Sequence, residues 1–156
     1  MSEWKEGKIT TGCTLAQLKR ALMNIKKDWR IQTVEDPDAV LDSKGGITAM
    51  TAYHDARHPH KQGQQLVLRM GHGGVRGADI GFTKNPDGTW HIDYDNMPDG
   101  VDNLDGAVKG AIARIRIKQA AAKKKYQEVT DTMSGEDRVM RYLAPAEDLA
   151  GKGFGI

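Results

Sequence analysis

Val101, Leu104, Val108, Ala111, Ile112, Ile115 and Ala122 recur at the period of an α-helix, with Ile117 off the stripe and three lysines, Lys123 to Lys125, closing the run. A stripe of this length obliges the chain to provide a second layer against which one long helix buries its apolar face, since such a helix is marginal alone in water. Asp99 or Asp102 is the expected cap at its start, and the lysines at its end suit the helix dipole. Gly106 and Gly110 each lower helix propensity by about 1 kcal/mol relative to alanine, which fits close packing on a sheet.

The second layer is legible just upstream. Segments 78–82 (ADIGF) and 89–94 (TWHIDY) flank Asn85-Pro86-Asp87-Gly88, where Pro86 presets a turn and Gly88 takes a positive φ, so they read as a β-hairpin. Ile80 and Phe82 share one face of the first strand, and Trp90, Ile92 and Tyr94 one face of the second. These five side chains are the expected sheet side of the core.

Nearer the N-terminus, Leu15, Leu18, Leu22 and Ile25 mark a first amphipathic helix, with Thr14 as N-cap and Gln17 placed to complete a capping box. Weaker strand signals lie at 4–10, 30–34 and at Ile47, Ala49, Thr51 and Tyr53, the last expected to share a sheet with QQLVLRM, residues 64–70. The polar segments 35–46 and 54–63 read as surface connections, and the glycine-rich 71–77 as a tight turn. A final hairpin, 126–132 with 138–143, turns at 134–137. The expected fold class is α+β, a mixed, mostly antiparallel sheet packed against two helices, with the other sheet face exposed or used for association. One domain is expected over 1–145, and 146–156 is a flexible or docking tail.

At 156 residues, with 38% hydrophobic and 28% charged residues, the chain can bury a core without a metal or disulfide. Cys13 is the sole cysteine, which excludes an intrachain disulfide and suits a reducing compartment, and its place beside a helix cap reads as a small buried side chain. The opening MSEWKEGKIT lacks the apolar core of a secretory signal, and no run is long enough to span a bilayer, so a cytoplasmic location without a membrane partner is expected. A net charge of +2 does not itself imply a polyanionic partner, but the distribution is dipolar: seven acids against Lys84 between Asp79 and Asp105, then seven bases and no acid from Lys109 to Lys125.

Leu18-Lys19-Arg20-Ala21-Leu22, Ile80-Gly81-Phe82, Trp90 to Tyr94 and Tyr126 to Leu143 together resemble an uncharacterised open-reading-frame family of cyanobacteria, plastid genomes and other bacteria, a domain of unknown function. The resemblance implies the same order of strand, helix, strands, long helix and C-terminal hairpin. It implies no catalytic residues, and an accessory protein with a ring-forming ATPase as partner.

The residues offer three functional readings. The first is a noncatalytic accessory or protein-interaction domain without a cofactor, with Leu149, Phe154 and Ile156 of the tail as anchors for another protein. An alternative is RNA or DNA binding by the basic face of the second helix, where Lys109, Arg116 and Lys123 are seven apart and Arg114, Lys118 and Lys125 lie nearby. The other alternative is a small metal-dependent or carboxylate-based enzyme. His54, Asp55, His58 and His60 offer nitrogen and oxygen ligands for zinc or nickel, and His72 and His91 can join only through tertiary contact. The run His91, Asp93, Asp95, Asp99 and Asp102 also invites a cation or acid/base reading, but it lacks the ligand order and central glycine of an EF-hand. The loop 71–77 can offer amides to an anion but is neither a P-loop nor a dinucleotide fingerprint.

Overall fold

The computed structural model describes residues 5–27, 29–50, 60–69, 79–94, 103–134 and 137–145. The chain divides into two compact units, Met1–Ile112 and Ala113–Ile156.

In the first unit, strands β1 (Lys5–Ile9), β2 (Arg30–Thr33), β5 (Leu66–Arg69), β6 (Ile80–Lys84) and β7 (Trp90–Tyr94) form one sheet in the order β1-β7-β6-β5-β2. A second sheet has only β3 (Ile47–Ala49) and β4 (Lys61–Gln64). Every strand pairing among the described residues is antiparallel. The fold is therefore the expected α+β class, a mostly antiparallel sheet packed against two helices.

Local chemistry explains the firmest elements. Helix α1 (Leu15–Ile25) opens with a capping box in which the Thr14 hydroxyl accepts from the Gln17 amide at 3.2 Å and the Gln17 side chain accepts from the Thr14 amide at 3.0 Å. Leu18, Ala21 and Leu22 supply its buried face. Burying each leucine fully is worth about 2–3 kcal/mol. The β6–β7 hairpin closes as expected. Gly88 donates to the Asn85 carbonyl at 3.0 Å and adopts φ +89°, the left-handed position that follows a type I turn in three-residue hairpin loops.

Alternation assigns the two faces of the large sheet. On the helix side Ile9, Leu66, Leu68, Ile80, Phe82 and Trp90 are fully buried, with Ile92 close behind; Tyr94 is only half-buried. Trp90 satisfies its indole N–H on the Cys13 carbonyl at 3.0 Å, and Cys13 itself is buried as expected. Leu104, Val108 and Ile112 of helix α2 (Leu104–Lys123) are buried in the same unit. The cap expected at Asp99 or Asp102 falls outside the described residues. At the described start, the Asn103 side chain accepts from the Gly106 amide at 3.3 Å.

The opposite face departs from expectation. Residues 61–63, read as loop, belong to β4, and β3 pairs with β4 rather than joining β5 in the large sheet. The physical reason is that Lys-Gln-Gly-Gln shows no apolar alternation, so its strand character comes from backbone pairing and from one buried polar side chain, Gln64. At Gln65 the chain changes sheets, its amide donating to the Phe82 carbonyl at 2.9 Å. Ile47 and Ala49 of the small sheet cluster with Val67, so β3 and β4 cover part of a face expected to be exposed or used for association. Asp42 ties this layer together. Burial would raise its pKa, but amide hydrogen bonds from Gly63, Gly46 and Lys44, with the Thr48 hydroxyl, together hold it below the usual carboxylate value.

In the second unit α2 ends in a Schellman motif, with the Tyr126 amide on the Ala121 carbonyl at 2.8 Å, the Lys125 amide on the Ala122 carbonyl at 3.0 Å, and Lys125 at φ 59°. The final hairpin is β8 (Gln127–Ser134) with β9 (Asp137–Leu143).

Candidate functional site

The uncovered part of the large sheet's second face carries a polar cluster. Glu6 on β1 lies directly opposite Asp93 on β7, and His91 stands two residues before Asp93, on the same face. His91 Nε2 is 3.3 Å from Asp93 Oδ1 and 3.8 Å from Glu6 Oε1. One ligand atom from each of the three lies within 4.8 Å of the others. Asp93 is buried, His91 intermediate and Glu6 exposed, so the cluster grades from the sheet floor to solvent. Neither carboxylate is paired with a lysine or arginine among the described residues.

Gln64 fixes the floor. It is 3% exposed, donates from Nε2 to Asp93 Oδ2 at 3.3 Å, and accepts on Oε1 from the Thr83 hydroxyl at 3.1 Å. It lies flat on β6 because position 81 is glycine: a Cβ there would stand 2.4 Å from Gln64 Oε1. Asp93 is thus held on Oδ2 by a neutral donor while Oδ1 faces His91.

The cluster opens on a cleft of about 760 Å³, which Lys44, His60, Lys61 and Gln62 also line. Three side chains, one imidazole and two carboxylates, can hold a divalent ion while leaving positions for water or a ligand, as catalytic rather than closed structural sites do.

A second cleft of about 330 Å³ is bordered by Arg69 and by the exposed Val40 and Leu41. Its cation is consumed by the fold: Arg69 binds Asp79 at 2.5 Å, the Thr48 carbonyl at 2.7 Å and Gln32 at 2.9 Å. Asp79 is buried and also accepts from the Met50 amide at 2.9 Å, joining the end of β3 to the start of β6.

The residues expected from sequence fall as follows. Of the histidine-loop set, His60 is exposed and lines the large cleft, whereas His54, Asp55 and His58 lie outside the described residues. His72, the glycine-rich 71–77, Asp95, Asp99, Asp102 and the tail anchors Leu149, Phe154 and Ile156 also lie outside them. Of the basic set, Arg114 and Lys118 bind Asp131, at 2.5 and 3.2 Å, and Arg138 adds a third contact at 2.7 Å. Lys109, Arg116 and Lys123 are exposed on α2, and Lys125 is exposed just beyond its end. Asp131 retains 7% side-chain exposure, and although burial would raise its pKa, the hydrogen bonds from Arg114, Arg138 and Lys118 bring it down to about 2.

Sequence reasoning reached His91 and Asp93 as members of an acidic run but missed Glu6 and Gln64. Glu6 enters through pairing with a strand 87 residues away in the chain, and no local pattern announces it. For Gln64 a signal existed, a glycine at 81 inside a buried strand, which often marks close approach by another group. No helix among the described residues is long and apolar enough to cross a membrane. Comparison with protein-family models, curated proteins and solved structures gave no match, so the site is read from its own geometry.

Proposed function

We propose that the protein is a small metal-dependent enzyme whose divalent ion is held by Glu6, His91 and Asp93. The observation that carries this reading is the opposition of two carboxylates across β1 and β7, with an imidazole between them and no ammonium or guanidinium among the described residues neutralising either. Like charges facing each other across paired strands oppose the pairing. A divalent ion converts that opposition into attraction, and the mixed nitrogen and oxygen donors suit zinc or manganese.

A zinc ion held by Glu6, His91 and Asp93 would supply Lewis-acid activation of water for hydrolysis. The chain's own contributions are separate. Gln64 aims Asp93, β4 lines the cleft with Lys61 and Gln62, and the exposed carboxylate of Glu6 leaves the outer side open to solvent and substrate. Metal-dependent hydrolysis is therefore the reaction class we assign.

Support for the other readings is thinner. The accessory reading rests on tail residues outside the described structure, and the nucleic-acid reading on six basic residues of which Arg114 and Lys118 already serve Asp131.

Titration of the full chain with Zn²⁺ and Mn²⁺, followed by calorimetry and by the His91 ring resonances, tests the proposal. Saturable binding that weakens roughly tenfold or more in His91→Ala and in Asp93→Asn is expected. Equal affinity in wild type and both variants, or no binding at all, would reject it.

A further inference from the structure

We infer that the ligand of the cleft is a small phosphorylated compound, its phosphoryl oxygens bridging the divalent ion to Lys44 and Lys61. This rests on the metal reading above and adds the substrate class.

Lys44 and Lys61 line the same cleft as Glu6, His91 and Asp93. Neither ammonium has a carboxylate partner among the described residues, in contrast to Lys118, which is shared between Glu128 and Asp131. Charge then selects the ligand. Two carboxylates cancel a divalent ion, so the two ammonium groups remain, and a dianionic phosphate monoester matches them. Lysine acts as a point charge toward phosphate oxygens and needs no bidentate geometry.

The wall is built before any ligand arrives. Asp42 accepts from the Lys44 amide at 3.0 Å and from the Gly63 amide at 2.8 Å, so one carboxylate pins both the turn carrying Lys44 and the strand carrying Lys61. Binding then orders few additional groups, which favours affinity. Size and lining agree. A cleft of about 760 Å³ admits a small molecule, and the named lining side chains, among them Thr83 and Asn85, are polar, whereas sites for apolar ligands are lined mainly by hydrophobic and aromatic groups.

The test uses the full chain loaded with Mn²⁺ and phenyl phosphate as probe, read by paramagnetic broadening of the ³¹P resonance and by calorimetry. Phenyl phosphate is expected to bind the loaded protein, and Lys44→Gln/Lys61→Gln to raise its Kd roughly tenfold or more, since two charge-assisted hydrogen bonds to the phosphoryl oxygens are lost. The same double variant should bind Mn²⁺ at least as tightly as wild type, because it leaves the three ligands intact and removes like charge from their surroundings.

Mn²⁺ binding with no phenyl phosphate binding, or with binding indifferent to the lysines, would overturn the inference while leaving the metal reading intact. Equal phosphate binding with and without Mn²⁺ would overturn the bridging role of the ion. Equal affinity for benzoate would overturn phosphate as the class. Failure of Mn²⁺ itself to bind would remove the metal reading, and this inference with it.

Discussion

Asp131 and Asp93 are both carboxylates on β-strands with little solvent exposure, yet their surroundings are opposite. Asp131 meets Arg114, Lys118 and Arg138, and its pKa falls to about 2. Asp93 meets a neutral amide from Gln64, the imidazole of His91 and a second carboxylate across the strand pair. The first charge is spent within the fold, where it organises the second unit. The second has no lysine or arginine beside it among the described residues, the condition under which a buried acid is available to a cation from outside. Arg69 with Asp79 repeats the first arrangement beside the smaller cleft, which is why that cleft carries no functional reading.

The sharpest way to break this contrast is to neutralise each acid in turn without metal. Asp131→Asn should destabilise the second unit by about 2–4 kcal/mol, because it leaves three cations around a neutral group. Loss of amide-exchange protection across β8 and β9 is the measurement, and protection unchanged from wild type would show that the cations are equally well solvated alone. The same contrast extends to pH. A folded pKa of about 2, below the ordinary 3.8, means that Asp131 contributes its full stability above about pH 4 and loses it progressively as the pH falls toward 2. Acid titration of the β8 and β9 amides should show this limb, and Asp131→Asn should flatten it. Asp42, shifted in the same direction, should add an acid-side loosening of β3 and β4.

Gly81→Ala comes next. Its Cβ would displace Gln64 from the sheet, at a cost of about 1–3 kcal/mol, and free Asp93 from its donor. Denaturant midpoints measure the stability loss, and a Zn²⁺ affinity unchanged from wild type would show that Gln64 does not aim Asp93. Asp93→Asn itself should stay within about 1 kcal/mol of wild type by the same midpoints, since it keeps an acceptor and relieves the opposition to Glu6. Glu6→Gln should shift stability least, within about 0.5 kcal/mol, because its side chain is 73% exposed. A large loss in either variant would mean that this cluster, like that of Asp131, belongs to the fold.

Several elements were legible because their causes are local. The Thr14 and Gln17 capping box spans three residues, the 85–88 turn needs only Pro86 and Gly88 in place, and the stripe on α2 repeats within each turn of helix. The β4 strand was not legible, because its three polar residues and one glycine carry no period and its pairing is with a segment that is not adjacent in the chain, β3. The basic face of α2 was legible as charge but not as pairing: nothing in the helix itself says that Arg114 and Lys118 turn to an aspartate 17 and 13 residues further on.

The sequence by itself therefore determined the α+β class, the helix start at Thr14, the β6–β7 hairpin and the apolar face that buries Trp90 and Phe82, since each depends on periodicity or hydrogen bonds spanning a few residues. Only the tertiary structure decided that Glu6 stands beside Asp93, that Gln64 crosses a glycine to hold that acid, and that Lys44 and Lys61 face the same cleft. Those relations depend on strand register between distant segments, and register is set by the summed packing of both sheet faces rather than by any residue's near neighbours.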